Sequence, residues 1–506
     1  MTNEENSTTA PDDAAPTADD MPSFAPPPPR WSEPEQPPAD RKMGKMALGI
    51  GSALALAVAL SIPIAAFTPV GTWFGSESGT AAAATVQTLA RSAQSSAAGG
   101  GSGLQKGAVF VNANDPKANV VIALVRNPDG TLREYGRYPT GGTGSGTAED
   151  DAGGIILGNS QGESSPIHLI ESTELLYVAN SASDTVTVFK VLPDRLQKVT
   201  EVSSGGVKPV SLTVSRGLLY VLNSGEFDDR AIINNAGLEN CSTGQLPSVT
   251  GFRVSKDGHL TQIPGSTRLL SGSADSGCAQ ASFSPDGRTL VVTERIGGKR
   301  GGSGLAKGVI NVLPVRSDGL LGENTMTEPV GNGPFGFTFT KDGAMLVTEQ
   351  QGTMEGRSTV VSYTVNDDAT LTPNQKSLPN NRSDTCWIVA TADGKMAFSS
   401  SALGNGAITS YEVSKTGTLK VLWEVASADD GKTETIAADH TPFTLIDLAL
   451  SRDGQYLYQI GGIQGTVFTF KVVDNGSLTY VGKTQVTNVS GFDLGFVGVP
   501  MGIVAS

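Results

Sequence analysis

Four Asp-Gly turns recur along the chain, at 286–287, 342–343, 393–394 and 453–454, and six positions before each Asp stand Gln280, Gly336, Trp387 and Asp447. Two related phrases with shorter turns put His168 and Ser211 at the same place, and Gly502 takes it near the C-terminus. Repeats arranged about an axis would bring these side chains to one surface. An imidazole and a carboxylate there suit a general base, His168, with Asp447 to orient it. Ser211 and Gln280 could fix a ligand through hydrogen bonds, Trp387 could stack on it, and the two glycines would open space. Structural roles compete: a hydrogen-bonded channel histidine, and an indole packed as core.

A second set ends the following apolar run in each repeat: Asn180, Asn223, Glu294, Glu349 and Ser401. Glu294 and Glu349 fall in adjacent repeats, where paired carboxylates could hold a hard cation or act as acid and base. They could equally pair with Arg295, Arg357 or backbone amides. Other signals are weaker. His259 follows an Asp-Gly turn and reads as exposed, and His440 lies in a loop. Ser211 lacks the Gly-x-Ser-x-Gly setting of a hydrolase nucleophile. The run 297–304 (GGKRGGSG) lacks the Lys-Ser/Thr ending of a phosphate loop.

Composition narrows the classes. The 506 residues include 62 Gly and 28 Pro, with only 17% charged, a profile of many short strands and tight turns rather than helical bundles. A net charge of -14 argues against a nucleic-acid partner held through phosphates. Three Cys and three His are too few for a close-spaced zinc site, so no metal or cofactor is expected.

The elements that must position these residues are repeated strands. Paired first and second strands read as 165–180, 208–223, 277–294, 333–349, 384–401 and 443–462, and third strands as 185–191, 248–254, 308–315, 359–365, 407–413 and 466–472. They alternate with the two-residue period of strands. A seventh unit is split: 107–138 supplies second, third and fourth strands, and 498–506 a lone first strand. Pairing the two ends closes a ring and removes the terminal edges. The expected fold is all-β, a seven-bladed β-propeller over 104–506, with surplus loops at 226–247 and 297–307. Cys241 and Cys278 could form a disulfide pinning the first of these loops if the domain is exported; Cys386 would then be a buried unpaired thiol beside Trp387.

The first hundred residues differ. Residues 1–40 are Pro-rich and acidic and read as a disordered tail. Arg41, Lys42 and Lys45 precede the uncharged run 46–67, long enough to span a bilayer, with the basic flank cytoplasmic. This predicts a transmembrane anchor over 43–70, or a cleaved signal sequence, followed by a Gly/Ser/Ala stalk over 76–103. The expected location is the cell membrane with an exported C-terminal domain, secreted if the segment is cleaved.

The phrases SFSPDGRTLVVTE (282–294), PFGFTFTKDGAMLVTE (334–349) and CWIVATADGKMAFSSS (386–401) resemble the lactonase-like, YVTN-type seven-bladed propellers. That resemblance implies the same fold over 104–506. Its enzymes include 6-phosphogluconolactonases of the cycloisomerase type and a 3-carboxymuconate lactonizing enzyme. The phosphogluconolactonase members carry a His-x-His phrase before the blade turn, whereas this chain has Gly277-Cys278-Ala279-Gln280. Two functions follow: a binding or scaffold propeller for a small channel ligand or an extracytoplasmic protein, and a lactone hydrolase or cycloisomerase with His168 and Asp447 catalytic. The missing phrase and the export signal favour binding.

Overall fold

The computed structural model describes residues 103–147, 152–159, 174–225, 246–272, 276–295, 307–351, 355–403, 406–426, 445–490 and 498–506. The predicted tail, the anchor and the stalk up to residue 102 lie outside them, as do His168, Cys241, His440 and the glycine-rich run 297–304. Among the described residues, no helix is long and apolar enough to cross a membrane.

These residues form seven antiparallel sheets. We number the blades 1 to 7 in chain order and letter their strands A to D from the inside outward. Blade 4 is representative, with Cys278–Phe283, Thr289–Glu294, Val309–Pro314 and Thr325–Thr327 pairing in that order. Its A–B turn shows why Asp-Gly recurs. Asp286 Oδ1 accepts from Ser284 Oγ (2.6 Å) and Arg288 N (3.1 Å), and Gly287 takes the left-handed φ of 65° that closes the hairpin.

Blade 1 is the split unit. Its A strand, Ile503–Ala505, pairs with Ala108–Asn112, and Ser506 clasps Ala108 through both N–H···O and side-chain hydrogen bonds. A strands of successive blades touch one another around a complete circuit, including blade 7 to blade 1 and blade 1 to blade 2.

The hydrophobic core lies between blades. Val291, Ile310 and Val312 of blade 4 pack on Phe337, Met345 and Val347 of blade 5, and each neighbouring pair repeats the arrangement. B strands are therefore buried on both faces, whereas D strands such as Leu196–Ser203 are half-exposed.

Blade 2 departs from the sequence expectation. Its A strand is Ile155–Asn159, paired with Glu174–Asn180, rather than a segment beginning at 165. The strands so paired are separated in sequence by 160–173, a longer interval than in other blades, and these residues, His168 among them, lie outside the described ones. The sequence 155–159, IILGN, has an apolar start like other A strands but lies ten residues earlier than a short turn allows.

Candidate functional site

Seven A strands facing an axis leave seven strand edges whose N–H and C=O groups have no partner within their own sheet. Buried backbone groups need partners, and here many come from side chains of the preceding blade. Ser211 Oγ accepts from Ala281 N (3.1 Å), and Thr213 Oγ1 from Phe283 N (3.0 Å), joining blade 3 to blade 4. Gln280 brackets Phe337, its Oε1 accepting from Phe337 N (2.8 Å) and its Nε2 donating to Phe337 O (2.9 Å). Thr293 Oγ1 donates to Phe335 O (2.6 Å), Thr348 Oγ1 to Cys386 O (2.8 Å) and Ser400 Oγ to Ile446 O (2.8 Å). Asp447 Oδ2 accepts from Ile503 N (3.2 Å), joining blade 7 to blade 1.

The recurring register position therefore holds Ser211, Gln280 and Asp447 as predicted, but their polar atoms bridge blades. Asp447 also accepts from Leu448 N at 2.9 Å and from the Gly153 amide. Burial nevertheless pushes its carboxyl up to about 7, the three N–H donors offsetting only part of the cost. Trp387 is 1% exposed and meets Phe335 edge to face, with centroids 5.3 Å apart, so it packs chiefly as core. Gly336 and Gly502 do not open space. A Cβ on Gly336 would lie 2.3 Å from Cys386 O, and one on Gly502 3.0 Å from Ile155 Cγ2, so both permit close blade contact.

The predicted second ring is spent on hydrogen bonds to adjoining loops and C strands, and Asn180 also accepts from Asn119 of blade 1 at 2.9 Å. Glu294 accepts from Ser271 N, Ser271 Oγ and Asn311 Nδ2 at 3.1, 2.9 and 2.7 Å. Glu349 accepts from Gly331 N (2.6 Å), Thr359 Oγ1 (2.6 Å) and Ser377 Oγ (2.5 Å); burial still raises its carboxyl above the usual range. Asn180 Nδ2 donates to Thr185 and Thr187, Asn223 Nδ2 to Ser204 O, and Ser401 shares a 2.8 Å bond with Thr385. Of the partners expected for the two glutamates, the backbone amide is realised. No metal-binding cluster of His, Cys, Asp or Glu occurs among the described residues. His259 is exposed, 3.7 Å from Asp257.

Arg295 instead sits beside Asp384 and Cys386, all three buried. Gln350 Nε2 donates to Asp384 Oδ1 (2.8 Å) and to Cys386 Sγ (3.1 Å). Burial pushes the Cys386 thiol up and raises Asp384 to about 6 despite Arg295, so the free thiol is held in its unreactive form. Asp384 adopts a φ of 55° just before Thr385, whose partner Ser401 is the counterpart of Glu294 and Glu349; blades 4 and 5 use Gly277 and Gly333 at that position.

The axis itself holds a cavity of about 260 Å³. At one end Ala152 and Gly153 cross it: Ala152 N donates to Ala279 O (2.9 Å) and Gly153 O accepts from Leu212 N (3.0 Å). At the other end are the turn residues Ala392, Ser451, Arg452 and Gly454. Between them the walls are mainly apolar, with Ile156, Val389, Ala449, Leu450 and Val504. The sequence carried an unused signal for the blade bridges: the residue before Glu294, Glu349 and Ser401 is a hydroxyl in each case, namely Thr293, Thr348 and Ser400. Nothing in the repeats marked Ala152-Gly153 as a plug.

A closed ring of seven four- or five-stranded blades around a plugged channel defines a seven-bladed β-propeller of the lactonase-like fold. The chain is similar to the periplasmic gluconolactonase of Pseudomonas aeruginosa, with 16% identity over 78% of this chain and 99% of that one, at a TM-score of 0.51. A putative 6-phosphogluconolactonase from Bacteroides fragilis shares 16% identity over 78% and 96% of the two chains, with a TM-score of 0.50. A hypothetical selenium-binding protein from Sulfolobus tokodaii matches at 11% identity over 77% and 91%, also at 0.50. At these identities the likeness is one of fold. No protein-family model matches the sequence, and no curated protein matches it.

Proposed function

We propose that the protein is a binding propeller, exported and held at the membrane by its N-terminal apolar segment, with the central channel as its ligand site. One observation carries this reading: Ser211, Gln280 and Asp447, the polar side chains that could have served chemistry at the axis, are committed to joining blades. What remains open along the axis is a small cavity with mainly apolar walls, suited to holding a compact ligand and poorly equipped to activate water. An extracytoplasmic protein that inserts one apolar side chain would use the same site.

A lactonase or cycloisomerase is the second reading, favoured by likeness to a protein described as a periplasmic gluconolactonase. Turnover assays separate the two. The full chain is incubated with a panel of sugar and aliphatic lactones and acid release is followed, with His168→Ala in parallel. The binding reading expects no acid release above the uncatalysed rate. Lactone opening that disappears in His168→Ala would overturn it.

A further inference from the structure

Arg452 is the cationic side chain among the residues lining the axial cavity, and it stands at the end away from the Ala152-Gly153 plug. Its guanidinium, 31% exposed, pairs through Nη2 with Glu174 Oε1 of blade 2. Glu174, at 8%, lies behind it and does not line the cavity. Arg452 Nε and Glu174 Oε2 have no hydrogen-bond partner among the described residues. Guanidinium offers five N–H donors in a flat fork, and one acceptor oxygen leaves most of them unspent. The other titratable group on the cavity, Asp447, has its oxygens occupied by three backbone amides at the plugged end.

Size and polarity are graded along the same axis. The volume of about 260 Å³ lies at the lower edge of small-molecule sites, which begin at about 300 Å³. Between the plugged end and Arg452 the walls include Ile156, Val389, Ala449, Leu450 and Val504 alongside the neutral polar Thr213, Gln280, Ser282 and Thr338, so a bound molecule meets mostly uncharged surface along its length and a cation at its rim.

From this we infer that the channel binds a small monocarboxylate with an unbranched or compact apolar body of about eight carbons, the carboxylate on Arg452 and the body directed toward Trp387. This rests on the reading of the channel as a binding site. An ammonium head would face the Arg452 charge, and a second carboxylate would have to sit among aliphatic side chains beside Asp447.

Calorimetric titration of the full chain with octanoate, octan-1-ol and octanedioate tests it, alongside Arg452→Gln, Arg452→Lys and Val389→Phe. Unfolding temperatures within a few degrees of the parent confirm that each variant is folded. Octanoate is expected to bind one to one, at least tenfold more tightly than octan-1-ol or octanedioate. Arg452→Gln should reduce octanoate to the level of the alcohol without changing the alcohol, Arg452→Lys should restore part of the preference, and Val389→Phe should remove both. Equal binding of alcohol and acid overturns the anion recognition while leaving a channel binder intact. No binding of either probe overturns the ligand class, and octanoate binding unchanged in Val389→Phe places it outside the channel. Lactone turnover dependent on His168 would instead remove the reading beneath.

Discussion

Asp447 makes a pH dependence that can be worked through. Its carboxyl has an ordinary value of 3.8 and titrates at about 7 in the fold, because burial disfavours the anion more than the Ile503, Leu448 and Gly153 amides favour it. The folded state therefore holds a proton that the unfolded chain has released across the window from about pH 4 to pH 7. Stability falls as pH rises through that window and is flat beyond it. A displacement of this size corresponds to about 4 kcal/mol. For the roughly 320 described residues, an unfolding entropy of ~2.1 cal/mol/K per residue converts the whole displacement to roughly 6 °C, most of it between pH 4.5 and 8. Asp384, raised to about 6, and Glu349, raised in the same direction, add changes of the same sign, so the parent curve alone is not diagnostic. The difference between the parent and Asp447→Asn isolates the group, since the amide carries no titratable proton. Thermal unfolding of both at pH 4.5, 6 and 8 should show Asp447→Asn gaining about 5 °C on the parent between the lowest and highest pH. Parallel curves would refute the buried, proton-holding assignment.

Other perturbations test the blade bridges and the closure. Gln280→Ala leaves Phe337 N–H and C=O without their partner and should cost about 2–4 kcal/mol, read as a lowered denaturation midpoint. Gly336→Ala places a Cβ 2.3 Å from the Cys386 carbonyl and should destabilise by at least 1–3 kcal/mol in the same assay. Deleting residues 498–506 removes the buried Val499, Met501 and Ile503 and exposes the Ala108–Asn112 edge. At about 1.5–3 kcal/mol per side chain the loss is comparable with the whole stability of a domain, so the truncated chain should elute as aggregate on gel filtration.

The blade count, the Asp-Gly hairpins and the split blade were legible because each is written locally. Period-2 runs announce strands, and a left-handed turn position calls for glycine. The register of Ser211, Gln280 and Asp447 followed from counting back along one strand. Blade 2 was misread because the same local logic assumed a short A–B turn, and a 14-residue connection separates IILGN from its partner. The bonding partners of the ring were not legible for another reason. Whether Gln280 faces a ligand or brackets Phe337 depends on where the next blade's edge lies, and no spacing within blade 4 records that.

By itself the sequence determined most of the strands, though not the inner one of blade 2, how many blades there are and that the two chain ends share one of them, since hairpins and alternation are properties of contiguous residues. Only the tertiary structure decided that the axial polar groups are spent on neighbouring strands, that Ala152 and Gly153 close one end of the channel, and that Arg452 stands at the other. The physical reason is that an unpaired strand edge must find donors and acceptors across the blade interface. Those partners lie tens or hundreds of residues away, so their identity exists only once the ring has closed.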